Sequence, residues 1–283
     1  MKIGEFAIRS FVEQPFKLDG GTMFGVVPKA LWQRAVPADE NNLIDMVTNL
    51  FVLEAHGKRM LFDAGLGDTL SDRECKVYGI DRPGSLEHGL AGLDLKPHDI
   101  DYVILTHLHT DHAAGAVKLL DGEFVPRFPN AQYLVSKREW EVATDPNERT
   151  AAVYAPERYY ALKNSGKLRI IEPDLDLFPG IRAVHTGGHT EGHFALEIES
   201  AGQKLVYYAD LFPSSAHLPV AYIPATDVYP LESMEVKRRV LPRLVDEEII
   251  VAFDHDTTMP LARIVRDGKK YRAEPAITAP SHS

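Results

Sequence analysis

Short apolar runs of strand length, separated by clusters of Gly, Pro, Asn and Asp, recur along the chain with helical patterns between them. Such alternation predicts an α/β fold. The runs Asn49 to Glu54 and Arg59 to Asp63 flank His56-Gly57-Lys58 and predict a hairpin ending in Asp63-Ala64-Gly65. Asp101 to Thr106 holds consecutive Val103, Ile104 and Leu105, as a strand covered on both faces would. Further strands are expected at Gln132 to Ser136, Leu168 to Ile171, Ile181 to His185, Phe194 to Ile198, Lys204 to Ala209 and Glu248 to Phe253. Helices are expected over Asp111 to Leu120, Ser136 to Ala143, Ala155 to Asn164 and Leu231 to Leu241, the last stopping or kinking near Pro242, which lacks an amide donor.

Two stretches, Glu13 to Asn42 and Leu211 to Pro230, fit neither period and are rich in Gly, Pro and aromatics. Loops that long in a compact domain are usually functional or lie at an interface. With no repeat, low-complexity tract or Ser/Gly linker, the expectation is one domain over residues 1–283, carrying an N-terminal loop insertion at about 13–42 and a frayed tail at about 275–283.

Composition narrows the function. Of 283 residues 45% are apolar, enough for a large core, and 31 basic against 41 acidic side chains leave a net charge of −10. That charge argues against nucleic acid as a partner. The opening segment carries Glu5, Arg9 and Glu13 where a secretory leader needs an apolar core. The longest uncharged stretch, Leu211 to Thr226, contains Pro213, Pro219 and Pro224 and cannot form a membrane helix. A cytoplasmic protein with no membrane partner is therefore expected. The single cysteine, Cys75, rules out a cysteine-rich zinc cage, so any metal must be held by His and carboxylates.

The chemistry concentrates in Thr106-His107-Leu108-His109-Thr110-Asp111-His112, between a buried strand and a helical pattern. In an extended segment residues i and i+2 project to one side, so His107 and His109 can reach one cation. Asp111 and His112, on the following turn, point elsewhere and suit a second. Three His at these spacings arise by chance in about 0.02 chains of this composition, so a polar loop with Asp111 as a helix cap is the weaker reading. Further ligands are offered at later strand ends: His189 within Thr186-Gly187-Gly188-His189, Asp210 closing Leu205-Val206-Tyr207-Tyr208-Ala209-Asp210, and His255 after Phe253-Asp254. Strand carboxyl ends are where ligands gather in open α/β sheets.

On these residues the chain resembles the metallo-β-lactamase superfamily of metal-dependent hydrolases, from about Asn49 to His255. The resemblance implies an αββα sandwich, two mixed sheets face to face with helices outside. It also implies a site for two divalent cations, zinc first, with iron, manganese or cobalt as alternatives. His107, His109 and His189 would hold the first cation, Asp111, His112 and His255 the second, with Asp210 shared, while Asp63 would support the ligand loop. Asp19 to Lys29 and Ala209 to Pro213 are similar to the quorum-quenching lactonase and methyl parathion hydrolase branch. A lactone or ester substrate attacked by metal-activated hydroxide is then expected, with phosphotriesterase or arylesterase action, an iron oxidoreductase and a non-catalytic metal binder as alternatives. Asp111 is the candidate to hold and pass on the proton. Lactonases of this branch often carry a catalytic Tyr three residues after the shared Asp, where this chain has Pro213. Tyr222 and His217 are the candidates to replace it as donors to the substrate. Met23, Phe24 and Trp32 are read as a pocket wall or, as an exposed aromatic segment, a homodimer contact.

Overall fold

The computed structural model of the chain describes residues 1–81 and 86–276. Strands β1 (Lys2–Ile3), β2 (Phe6–Asp19), β3 (Leu43–Ala55), β4 (Lys58–Phe62) and β5 (Tyr102–Ile104) are followed by a small hairpin, β6 (Val117–Leu120) and β7 (Glu123–Pro126), then β8 (Gln132–Ser136) and β9 (Leu168–Ile171). The second half supplies β10 (Leu175–Phe178), β11 (Ile181–His185), β12 (Phe194–Ser200), β13 (Gln203–Tyr207), β14 (Ile250–Ala252), β15 (Leu261–Asp267) and β16 (Lys270–Pro275). One sheet has the order β1-β2-β3-β4-β5-β8-β9 and the other runs β10 to β16 in sequence. Both are mixed: β4, β5, β8 and β9 pair parallel, as do β13 and β14, and the other pairs of the two sheets are antiparallel.

Three buried clusters explain the layering. Phe51, Leu53 and Phe62 of the first sheet meet Phe194, Leu196 and Tyr207 of the second in the central layer. The outer face of the first sheet, Val52, Leu61 and Val103, is covered by Ala143 of helix Lys137–Thr144 and Tyr159 and Leu162 of helix Pro156–Asn164. The outer face of the second, Val206 and Val251, is covered by Val236, Val240, Leu241 and Leu244 of helix Pro230–Asp246. The αββα sandwich expected from the sequence is therefore present.

Four local expectations are corrected. Pro242 does not stop the last helix, which runs on to Asp246: the apolar stripe grips the second sheet on both sides of it, and the carbonyl it leaves unbonded, that of Arg238, belongs to an exposed residue. The helix expected over Asp111 to Leu120 is one turn, Thr110–Ala113, followed by a short 3₁₀ turn and then β6. Asp121 and Gly122, both at positive φ, close the β6–β7 hairpin, a two-residue Asp-Gly turn that the sequence displays. The segment Glu13 to Asn42 is not one loop: β2 runs on to Asp19 and is followed by helical turns Gly20–Phe24 and Lys29–Trp32. A bulge between Val12 and Gln14 shifts the register, so Glu13 and Gln14 are buried in succession and the alternation breaks. Finally, Pro275 closes β16 rather than opening a frayed tail, and 277–283 lie outside the described residues. Among the described residues no helix is long and apolar enough to cross a membrane.

Candidate metal centre

The segment 106–112 leaves β5 and is pinned from below by Asp63, which stands at positive φ where β4 ends. Asp63 accepts from the Thr106 amide at 2.8 Å, from the Tyr207 hydroxyl at 2.7 Å and from His112 Nδ1 at 2.9 Å. This fixes the His112 tautomer and turns its Nε2 toward the centre. Glu139, fully buried, accepts from the Leu108 amide at 2.9 Å and from the Thr190 and Tyr154 hydroxyls, so it ties this segment to the one bearing His189.

Each remaining candidate emerges from the second sheet. His189 follows β11 through Gly187 and Gly188, both at positive φ, and Asp227 accepts from its Nδ1 at 2.8 Å. A Cβ on Gly188 would sit 2.3 Å from Ser233 Oγ, so only glycine lets the last helix close down on this turn. Asp210 follows β13. His255 follows β14, its Nδ1 donating to the Val47 carbonyl at 2.9 Å, while Asn49 Nδ2 donates to the Phe253 and Asp256 carbonyls and braces the turn.

All seven expected side chains converge, and the ligand atoms fall into two groups joined by Asp210. His107, His109, His189 and Asp210 bring one donor atom each within 4.8 Å of one another, and so do His112, Asp210, Asp254 and His255. Asp210 Oδ2 lies 2.9 Å from His189 Nε2 and 3.8 Å from His107 Nε2, and its Oδ1 lies 3.6 Å from His112 Nε2 and 3.3 Å from His255 Nε2. Asp111 Oδ2 is 3.6 Å from His255 Nε2 and 4.0 Å from His112 Nε2. Donors about 2.1 Å from a tetrahedral ion stand roughly 3.4 Å apart, which is close to this spacing. His107 Nε2 and Asp210 Oδ1 are buried with no hydrogen-bond partner, and desolvation of such atoms is costly unless something satisfies them. The donor set thus fits two divalent cations.

Electrostatics divides the imidazoles. Burial, with neighbouring imidazoles, drives His107, His109 and His193 well below the usual range, so these rings are neutral. For His189 and His255 burial acts downward too, but Asp210 with Asp227 carries the first to about 10, and Asp254 with Asp210 carries the second to about 9. Burial pushes Asp210 up, yet His189 and His112 hold it far below the carboxylate range.

The two donors expected to replace the missing Tyr are placed differently. His217 stacks on Phe24 with its Nε2 donating to the Met23 carbonyl at 2.9 Å and its Nδ1 accepting from the Ser214 hydroxyl, so neither nitrogen is left for a substrate. Tyr222 is half-buried, edge-on to Phe24. A cavity of about 240 Å³ opens onto His109, Asp111, Asp210 and His255 and is walled by Leu18, Met23, Val77 and Tyr78. Met23 does wall it, as expected; Phe24 lines a neighbouring cavity of about 320 Å³ with His217 and His255, and Trp32 is packed inside the chain at 1% exposure. The sequence reading passed over Asp254, Asp227, Glu139 and Tyr78. The run Asp254-His255-Asp256 was a signal for the first; the others carry none.

Residues 43–255 match the model of the metallo-beta-lactamase superfamily. A probable metal-dependent hydrolase from Staphylococcus aureus superposes with a TM-score of 0.89 at 34% identity, over 98% of this chain and 100% of that one. AidC, a dizinc quorum-quenching lactonase solved with a product, superposes with a TM-score of 0.82 at 21% identity, over 99% and 97%. An N-acyl homoserine lactonase of Bacillus sp is 29% identical over 168 residues, 56% of this chain, and one of Bacillus cereus is 27% identical over 175. The chain spans about three-fifths of the length of these curated relatives, 60% and 63%.

Proposed function

Because the chain belongs to the metallo-beta-lactamase superfamily, we propose that it is a dinuclear hydrolase that opens lactones or cleaves related esters. The observation that carries this reading is the pair of donor groups sharing Asp210 at the floor of an apolar cavity. His107, His109 and His189 would hold one cation and Asp111, His112 and His255 the other, with Asp210 shared between them. Two divalent ions bound there, zinc first, would supply water of lowered pKa and a Lewis acid toward a substrate oxygen.

The chain's own residues do the rest. Asp111, at the cavity wall, takes the proton of the attacking water and returns it to the departing ring oxygen. No Ser or Cys nucleophile is required. Tyr78 lines the cavity that Asp111 and Asp210 share, and its phenol is the donor that stands in for the Tyr absent at Pro213. Leu18, Met23 and Val77 accept the apolar part of an acyl group. The relatives at 29% and 27% identity, both N-acyl homoserine lactonases, favour a lactone over a phosphotriester.

The test is turnover of N-acyl homoserine lactones by zinc-loaded protein, followed as proton release at constant pH, beside aryl esters and a phosphotriester. Lactone opening as the fastest reaction is expected. Two bound cations with no lactone or ester turnover would overturn the proposal.

A further inference from the structure

Asp254 is the residue of this centre that the two-cation reading leaves without a role. It is 2% exposed, and neither of its carboxylate oxygens has a hydrogen-bond partner. Its backbone is locked, since its carbonyl accepts from the Asn49 amide at 2.6 Å and Asn49 Nδ2 braces the carbonyls on either side. Its Oδ2 lies 3.5 Å from His255 Nε2 and 3.8 Å from His112 Nε2.

The side of the ring decides what this carboxylate does. Carboxylates that orient a ligating imidazole bind the nitrogen turned away from the metal. Asp63 and Asp227 do this, on Nδ1 of His112 and His189. Asp254 lies instead against Nε2 of His112 and His255, the face those rings turn to Asp111 and Asp210. His255 Nδ1 is already committed to Val47, so Asp254 has no orienting work to do there.

We infer that Asp254 is a further ligand of the second cation position and makes the two halves of the centre chemically unequal. The inference rests on the dinuclear reading above. One half then offers three imidazoles and a shared carboxylate. The other offers His112 and His255 with carboxylates from Asp111, Asp210 and Asp254, five donors whose observed spacings run from 3.3 to 4.0 Å. An imidazole-rich tetrahedral set suits zinc, whereas an oxygen-rich set of higher coordination suits a harder cation such as Mn2+ or Fe2+. Three carboxylates also carry more negative charge than one divalent ion neutralises alone, which strengthens retention of a cation there.

The experiment is metal-stripped protein reloaded with equimolar Zn2+ and Mn2+, crystallised, and measured by anomalous scattering at both absorption edges, with manganese EPR in solution. Zinc beside His107, His109 and His189, manganese beside His112 and His255, and an Asp254 oxygen within bonding distance of the manganese are expected. Asp254→Asn should weaken Mn2+ binding by at least about 10-fold, the least that losing even a partner behind a ligand costs, and leave zinc in the first half unchanged. Zinc in both positions, or an Asp254 carboxylate turned away from the cation, overturns the inference, and the wild-type diffraction reads this even if the variant fails to fold. Absence of any stoichiometric ion at His107, His109 and His189 would instead sink the dinuclear reading itself.

Discussion

Glu13 makes the stability of this fold depend on pH in a defined direction. Its bulge position in β2 buries the carboxyl, which accepts from the Thr48 hydroxyl at 2.7 Å and from the Leu66 and Gly67 amides at 3.2 and 3.0 Å, just beyond Asp63. Burial pushes Glu13 from the usual 4.5 to about 7, against the downward pull of those three donors. A carboxyl whose pKa is raised by folding binds more protons in the native than in the unfolded state between the two values. Stability therefore falls as pH rises from 4.5 to 7 and levels off above. At about 1.4 kcal/mol per unit the ionised carboxylate costs roughly 3 kcal/mol above pH 8 and under about 1 kcal/mol at pH 5. Glu13→Gln removes this titration, at the constant expense of a side-chain amide turned toward one of three donors, about 1–3 kcal/mol. Urea unfolding of both proteins at equal metal content, from pH 5 to pH 8, is the assay. The wild type should lose roughly 2–3 kcal/mol more than the variant across that range, because every other titrating group is common to both and cancels. Parallel stability curves would show that Glu13 does not titrate in this window and refute the argument.

Asp227→Asn leaves His189 without its carboxylate partner and should lower zinc retention in the first half about 10- to 100-fold, read by competition with a chromogenic chelator, with the fold intact by circular dichroism. Gly188→Ala forces a Cβ to 2.9 Å from the Ser233 backbone nitrogen at φ +78°, so a loss of roughly 2–3 kcal/mol in thermal unfolding is expected, together with weaker metal binding. Tyr78→Phe should lower kcat for lactones about 100-fold with metal content and melting temperature unchanged; an unaltered kcat would remove the phenol from the reaction.

The fold was legible wherever burial follows the simple periods. Gln132–Ser136, Leu168–Ile171 and Ile181–His185 have the expected bounds because their apolar residues are continuous or alternate without interruption. β2 was missed because its bulge hides the alternation and Pro15 breaks the run, and β15 and β16 because an edge hairpin keeps charged Arg263, Arg266 and Arg272 on its strands. The centre was legible through its histidines, whose number and spacing no cap or turn requires. What supports it was not: Glu139 reads as an ordinary first-turn acid of a helix, and only tertiary packing turns it between two ligand segments. His217 misled in part for the same reason, since the Met23 carbonyl, distant in sequence, takes one of its nitrogens while the nearby Ser214 hydroxyl takes the other.

His107, His109, Asp111 and His112 hang from the first sheet, while His189, Asp210 and His255 hang from the second. Neither slab of the sandwich owns a complete cage, so an ion seated here acts as a clasp across their seam. Occupancy then gauges how faithfully the slabs are aligned, and trimming Phe51 or Phe62, deep between them, should slacken the grip on metal before it unravels the chain.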